Sequence, residues 1–498
     1  MEIRDPSELE GIERPELVIG IVAAVGTPLD RITRVVKEEF VNRRYEVKHI
    51  HLSEFMDGLS LSAPIPPPDA SDYDRINGLM DCGNELRQTT GRGEALALLA
   101  AAHISELRAT DEPKHLEGHA FLIRQLKHPD EVMWLRYIYG SAFHLVGVHC
   151  PEDTRFVHLT EKMTEEQAQH LINRDQEEQM DWGQQLRRTF YLSDVFVSYP
   201  RNDPAGVQQA TSECKRFARL LFGEGVITPT RDEYGMFLAF AASLRSADLS
   251  RQVGAAILAQ SGEVMSVGCN EVPAAGGGQY WEDSKNDERD YLLKYDSNTK
   301  ITRKALAEAL SRLDPNRKNI SNDEAMLLSM ENRLRETRLM NLTEFGRAVH
   351  GEMEAILAAG RLGISLHGHH LYTTTFPCHN CAKHIVCAGL SRVVYIEPYP
   401  KSLALELHGD AISFGEEDDL GGRTRFEPFV GVSPRMYSVL FSMQTPEGKR
   451  LRRKDDHGDL MVEPWGIRSG ASPLSYIERE TLAALEAMRI GATTTEED

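Results

Sequence analysis

Two short stretches, separated by little more than a helix and a strand, constrain this chain more than anything else in it. The first is Phe345-Gly346-Arg347-Ala348-Val349-His350-Gly351-Glu352-Met353-Glu354-Ala355-Ile356, and the second is Tyr372-Thr373-Thr374-Thr375-Phe376-Pro377-Cys378-His379-Asn380-Cys381. They read His-x-Glu and then Pro-Cys-x-x-Cys. Cys378 and Cys381 lie one helical turn apart, so at the start of a helix both sulfurs reach one ion, and the helix N-terminus favours their thiolate form. His350 supplies a third ligand from a separate helix packed alongside. One imidazole and two thiolates hold Zn²⁺ and leave its fourth position to water, whose pKa zinc lowers toward about 7. Glu352, two residues beyond His350, turns toward that water and not toward the metal.

This set resembles that of the zinc deaminases, in which such a carboxylate takes the water's proton and delivers it to the ring nitrogen and the leaving amine. Blander assignments exist for each part. A lone Cys-x-x-Cys also occurs as a redox pair or as half of a structural zinc knot. A redox pair follows a strand in a thioredoxin-like pattern and needs no His-x-Glu. A closed structural site needs a fourth Cys or His at matched spacing, and Cys387 is the candidate nearby. Cys387 falls on the same expected helix, nine residues after Cys378, and reads as a buried core thiol. His367, His369 and His370 form a loop cluster, read as a solvated turn ahead of a second metal site. The joint occurrence of the two halves, in this order, favours the catalytic zinc.

At 498 residues the chain exceeds one ordinary core, and about two or three domains are expected. Hydrophobic residues at 41% and charged residues at 27% are the balance of a soluble globular protein. No apolar run is long enough to span a membrane, and Met1-Glu2-Ile3-Arg4-Asp5-Pro6 shows no signal peptide. Seven scattered cysteines, an odd number, argue against a disulfide framework and for a reducing compartment, most simply the cytoplasm. The formal net charge of −20 lowers the odds of a polynucleotide substrate, since gripping a nucleic-acid backbone calls for a basic surface. A small phosphorylated substrate needs only a few Arg or Lys in a pocket. Composition therefore leans toward a free nucleotide.

In the first half, short apolar runs alternate with helical segments. Strands are expected at 17–25, 45–50, 120–123 and 143–149, with helices after Leu29 and over 95–107 and 131–139. Alternation of this kind indicates an α/β domain with a parallel sheet. The turn Gly26-Thr27-Pro28 sits where a phosphate-binding loop would, but it departs from the standard pattern. Counting from Gly26, Thr27 holds the lysine position and Pro28 the Ser/Thr position, and the first glycine of the pattern falls at Ile21. Beyond the loop, Gln125–Val132, Leu171–Asp175 and Ser193–Val197 resemble segments of small P-loop nucleotide kinases. The resemblance implies a degenerate P-loop-like domain that binds a nucleotide or a partner without hydrolysing it. An inert scaffold is the alternative, and Gly26 and Thr27 read either as nucleotide contacts or as a plain turn. Cys82 and Cys150 read as structural.

In the second half the order is a helix from Asp232, a strand at 251–258, a hairpin turn at Ser261-Gly262 and a strand at 264–270. An interruption from about 273 to 341 follows, with a helix near 323–339, read as a lid, an oligomer contact or a regulatory segment. The core then resumes as helix (350–362), strand (370–375), helix (378–390) and strand (391–397), a three-layer α/β/α arrangement with both metal-bearing segments at helix starts.

Arg231–Ser246, Arg251-Gln252-Val253-Gly254-Ala255, Gly268-Cys269-Asn270, the two metal motifs and Arg392-Val393-Val394-Tyr395 together resemble the deoxycytidylate deaminase family. The resemblance implies hydrolytic removal of the 4-amino group of a cytosine deoxynucleotide, with Glu352 catalytic and His350, Cys378 and Cys381 on zinc. It places Asn270 on the sugar and Arg251 near the phosphate; a turn-capping Asn and a surface Arg are the alternatives. Gly351 stands where the family usually has alanine, a change expected to alter little. The whole chain is similar to two-domain bacterial anti-phage deoxycytidine nucleotide deaminases, which deplete the dCTP and dCMP a phage needs. That likeness implies a P-loop-kinase-like parallel-sheet domain (1–200), a linker helix (201–228), a cytidine-deaminase-like α/β/α domain (229–425) and a C-terminal extension (426–498). It also implies a homo-oligomer, a hexamer, and a regulatory nucleotide or small RNA; the basic run Lys449–Lys454 is either a phosphate or RNA contact or a solvated loop. The competing functions are a cytosine or adenine deaminase acting within a nucleic acid, and a nucleotide-binding regulator with a structural zinc.

Overall fold

The structure is a computed structural model, and it describes residues 14–110, 117–177, 185–313, 324–334, 337, 340, 342, 344–399, 402–414, 421–445, 448, 450–461, 466–469 and 476–495. Lys449 of the basic run, and the ends of the expected 323–339 helix, lie outside them. The chain divides into two compact units, Met1–Glu233 with Val430–Asp498, and Tyr234–Phe429.

The first unit begins with β1 (Leu17–Ala23), α1 (Leu29–Val41), β2 (Glu46–His51), α2 (Asp72–Thr90) and α3 (Ala95–Thr110). It continues with β3 (His119–Arg124), α4 (Pro129–Tyr139), β4 (Phe143–His149), α5 (Glu152–Thr160), α6 (Glu165–Glu177), α7 (Leu186–Tyr191), β5 (Val195–Ser198) and α8 (Pro204–Leu221). The five strands pair in parallel in the order β5-β4-β1-β3-β2. The reason is legible in β1, which is buried along its whole length and sends alternate residues to opposite faces. Leu17, Ile19 and Ile21 join α1 and α8 residues such as Ile32, Phe40, Cys214 and Phe217 in one core. Val18 and Val22 join Ala97, Ala101, Ile104 and Leu135 of α3 and α4 in the other. Helix α2, which sequence periodicity does not reveal, carries few apolar residues; Ser71 caps its start and Gly91, at φ 64°, ends it.

The second unit holds α9 (Arg231–Ser243), β6 (Gly254–Leu258), β7 (Val264–Cys269), then α10 (Asp290–Leu293), α11 (Ser297–Leu313) and α12 (Glu324–Leu334) in the interruption. After these come α13 (Gly351–Leu362), β8 (His370–Thr375), α14 (His379–Cys387), β9 (Arg392–Glu397), α15 (Ala404–His408), β10 (Ile412–Phe414) and β11 (Thr424–Pro428). The sheet order is β10-β11-β9-β8-β6-β7, with β6 antiparallel to β7 and β8 and the remaining pairs parallel. Ala255, Ile257, Leu371 and Val393 face α13 and α14. Tyr372, on the opposite face, lies against Gly235 of α9, where a Cβ would come within 2.5 Å of its ring. The expected three layers are present.

The domain limits drawn from the sequence differ from these units. The chain returns after Phe429 through β12 (Gly431–Val432), α16 (Pro434–Phe441) and α17 (Ile477–Thr495) into the first unit. β12 adds antiparallel to β5, and Met436 and Leu440 of α16 enter the same core as α8. Ala483, Ala487 and Ile490 of α17 pack into the core with α3, whose alanines allow close approach. The helix expected as a linker and the segment expected as an extension are thus core elements, because their apolar residues share in covering the faces of the sheet with α1, α3 and α4. No helix among the described residues is long and apolar enough to cross a membrane.

A buried ion network pins α17. Arg108 of α3 donates to both oxygens of Glu16 (3.0 and 2.8 Å) and to Glu480, and Tyr139 Oη donates to Glu480 at 2.7 Å. Both carboxylates are 1% exposed. Arg108→Ala leaves two buried carboxylates without their cation and is expected to cost about 3–5 kcal/mol, read as a lower denaturant midpoint. His144 of β4, also 1% exposed, has its pKa depressed by burial. The unfolded chain takes up that proton near pH 6.5 and the folded chain does not, so stability is lost as pH falls below about 6.5. Thermal melts from pH 7.5 to 5 should show the decline, and His144→Gln should lessen it, with His149, likewise lowered by burial, contributing to the remainder.

Candidate active site

His350 is the N-cap of α13 and Cys378 the N-cap of α14. Chain direction explains why they meet: α13 leads back to the start of β8, and α14 begins where β8 ends, so the two helix N-termini lie at one end of the sheet. Close packing brings α13 in. A Cβ at Gly268 of β7 would meet Ala355 N and Gly351 O at 2.4 Å, and one at Gly351 would meet Val253 O at 2.9 Å. Contrary to the sequence expectation, alanine in place of Gly351 is not a small change here, since backbone would have to shift.

His350 Nδ1 stands 3.4 Å from Cys378 Sγ and 3.3 Å from Cys381 Sγ, and the sulfurs are 3.6 Å apart. These three form a metal-capable group, the one such group found among the described residues. A tetrahedral zinc with Zn–S of about 2.3 Å and Zn–N of about 2.0–2.1 Å needs S···S and S···N edges of about 3.8 and 3.6 Å. The donor set fits zinc to within a few tenths of an ångström. Bonding from Cys381 and then from His350 pushes the Cys378 thiol down to about 4, and bonding to Cys378 pushes His350 up to about 9. Glu352 is 3% exposed, and burial, then the Cys378 charge, pushes its carboxyl up to about 7. It is not one of the three donors.

A cavity of about 300 Å³ opens on this cluster and is lined by His350, Glu352, Cys378, Asn270 and Arg251. The structure therefore gathers six of the sequence candidates in one place, counting Cys381 behind it. Asn270 is buried; its Oδ1 accepts from Val253 N at 2.7 Å and its Nδ2 donates to the Arg251 carbonyl at 2.8 Å, which braces the Arg251–Val253 loop. One amide N–H remains for a ligand. The half-exposed Arg251 side chain lies 3.8 Å from Glu397 and 5.6 Å from the centre of the Tyr399 ring.

Residues without an assigned role in the sequence complete the wall. Phe376 and Tyr399 add aromatic surface, and Asp296, just before α11, and Asn298 and Thr299 in its first turn reach in from within the interruption. Asn298 ties that interruption down, donating to Leu342 O at 2.7 Å and accepting from Phe345 N at 3.2 Å. Phe376 could have been inferred from its place beside Pro377-Cys378; Asn298 has no local signal.

Other sequence candidates fall elsewhere. Cys387 is exposed, not buried as expected, because nine residues are about two and a half turns and put it on the side of α14 opposite Cys378. Gly26 and Thr27 border a separate cavity in the first unit. Gly26 has φ +83° and packs on α5, where a Cβ would meet Arg155 O at 2.9 Å, so the turn itself requires glycine.

The family described as the cytidine and deoxycytidylate deaminase zinc-binding region matches residues 229–397. The deoxycytidylate deaminase of Enterobacteria phage T2 is 30% identical over 165 residues, 33% of this chain and 79% of that protein. That of Enterobacteria phage T4 is 29% identical over 165 residues, 33% of this chain and 77% of that protein. The crystal structure of dCMP deaminase from cyanophage S-TIM5, 15% identical, covers 41% of this chain and 100% of its own, with a TM-score of 0.23 that carries no argument about the fold.

Elemental analysis of the purified chain should give one zinc per chain. His350→Ala, Cys378→Ala and Cys381→Ala should each lose it, and Glu352→Ala should keep it.

Proposed function

The chain belongs to the deoxycytidylate deaminase family, and on that premise we propose that it removes the 4-amino group of free deoxycytidine nucleotides by hydrolysis. The products are the deoxyuridine nucleotide and ammonia, and the substrates are dCMP, dCTP or both. One observation carries the reading: a three-donor cluster that leaves a side open to a cavity, with a buried carboxyl next to it that is not a donor. A closed structural knot would use a fourth donor and would have no need of Glu352.

Zinc held by His350, Cys378 and Cys381 would supply Lewis-acid activation of water. Glu352 does the proton work: it accepts a proton from the water that adds at C4 and delivers it to N3, then takes the proton of the new C4 hydroxyl and delivers it to the departing amine as the C4–N bond breaks. Phe376 and Tyr399 offer faces for a flat base. Asn270, which lines the cavity, would contact the sugar with its remaining N–H, and Arg251 in the same wall would meet a phosphate. The acidic chain and the walling of the cavity by α11 favour a free nucleotide over a strand.

The first unit fits a degenerate P-loop-like domain that binds a nucleotide without hydrolysing it. Its turn has no lysine for β/γ-phosphates and no hydroxyl placed for Mg²⁺. The setting proposed for the two units together is phage defence by drawing down deoxycytidine nucleotides.

Ammonia release by the zinc-loaded chain, measured on dCMP, dCTP, CTP, deoxycytidine and cytosine-containing single-stranded DNA, tests the reading. Turnover of the free deoxynucleotides is expected, with Glu352→Ala reducing it by about 100- to 10,000-fold. Turnover on the DNA alone would sink the proposal.

A further inference from the structure

The first unit contains a cavity of about 320 Å³ at the carboxyl ends of β1, β2 and β3. β1 lies between β3 and β4, where the strand order turns, and open parallel sheets bind ligands at that point. The Gly26 turn beside it is already supplied with an anion. Val25 N donates to Asp175 Oδ2 at 2.7 Å, and Lys127 Nζ donates to Asp175 Oδ1 at 2.8 Å and to Ala23 O at 3.1 Å. Asp175 is 1% exposed. A carboxylate of the chain itself thus satisfies both the turn's N–H and the nearest ammonium, the two kinds of group with which a phosphate loop holds its ligand.

Other cations line the cavity and face less committed partners. Arg75 is exposed on the first turn of α2; Lys162 lies 3.3 Å from Asp72, three residues before Arg75; Arg124, at the end of β3, donates to Asp30 at 2.7 Å. Arg124, with Lys162 and His51 adding, holds the Asp30 carboxyl below the usual range, so these groups converge on one region. Exposed ion pairs of this kind bind weakly and yield to a phosphate dianion, which arginines grip in two-point fashion. Met56, Ile76, Leu79 and Met163 give the wall an apolar part, beside polar groups that include Asp72, Arg87, Gln125 and Glu131, and thioethers sit well against flat rings. A volume at the low end of small-molecule sites suits one phosphate and one nucleoside.

We propose that this cavity binds a nucleoside monophosphate, with its phosphate on Arg75, Arg124 and Lys162 and its base against the methionine-bearing wall. The inference rests on reading the first unit as a nucleotide-binding unit, and it moves the ligand from Gly26 and Thr27 into the space between the end of β3, α2 and the loop after α5.

Isothermal titration of the full chain with AMP, GMP and UMP tests it, with adenosine and inorganic phosphate as controls. The variants are Arg75→Glu/Arg124→Glu, both at solvent-accessible positions, and Thr27→Val, with circular dichroism as the check on folding. At least one monophosphate should bind the unaltered chain, and the double variant should weaken it by about a hundredfold, near tenfold for each lost charged contact. Thr27→Val should change it by less than about threefold. Binding that the double variant retains, or that only Thr27→Val removes, overturns the cavity while leaving a nucleotide-binding unit in place. Adenosine binding as tightly as AMP overturns the phosphate assignment. Absence of heat with every monophosphate overturns this inference.

Discussion

Three donor atoms, His350 Nδ1 and the sulfurs of Cys378 and Cys381, are held 3.3–3.6 Å apart, with Cys378 and Cys381 buried. Soft donors crowded in this way are stable together when a cation lies between them, and binding that cation drives off the protons they would otherwise share. The architecture of the second unit follows from the need to bring them together. Parallel β8 and β9 require a crossover helix, and that helix must start at the carboxyl end of β8, where α13 also starts. Gly268 and Gly351 let α13 approach β7 and the Val253 carbonyl closely enough for His350 to reach the cysteines. Glu352, the second residue of α13 and 3% exposed, inherits a position beside the cluster without belonging to it.

The cavity wall is a collaboration between the family core and the residues that interrupt it. Asn270 braces the Arg251–Val253 loop from the end of β7, while Asn298 and Thr299 of α11, with Asp296 just before it, also line the cavity. The interruption therefore contributes part of the pocket wall. In the first unit a different economy holds: the turn after β1 keeps the glycine that its backbone requires, yet its N–H and the neighbouring lysine answer to Asp175.

Metal chemistry made His350, Glu352, Cys378 and Cys381 legible in the sequence, because zinc dictates residue types and helix geometry dictates their spacing. The parallel sheet of the first unit was legible in the alternation of apolar runs with helices, and β1 shows why, since every one of its residues is buried. What local pattern could not reveal was destination. Helix α8 looks like any amphipathic linker until the core formed by Leu17, Ile19 and Phe217 is seen, and residues after Phe429 give no sign that β12 pairs with β5. Cys387 was misread because residence on a helix was weighed without its phase relative to Cys378. Asn298 and Tyr399 reach the cavity only through the tertiary fold, and α2 hid behind a polar surface with few apolar positions.

The most direct test of the central claim is to offer dCMP and dCTP separately to the zinc-loaded chain in ¹⁸O-water and weigh the product. Hydrolytic deamination at this site predicts the deoxyuridine nucleotide with one ¹⁸O at C4 and one equivalent of ammonia. Recovery of both nucleotides unchanged, with zinc bound, would contradict the account.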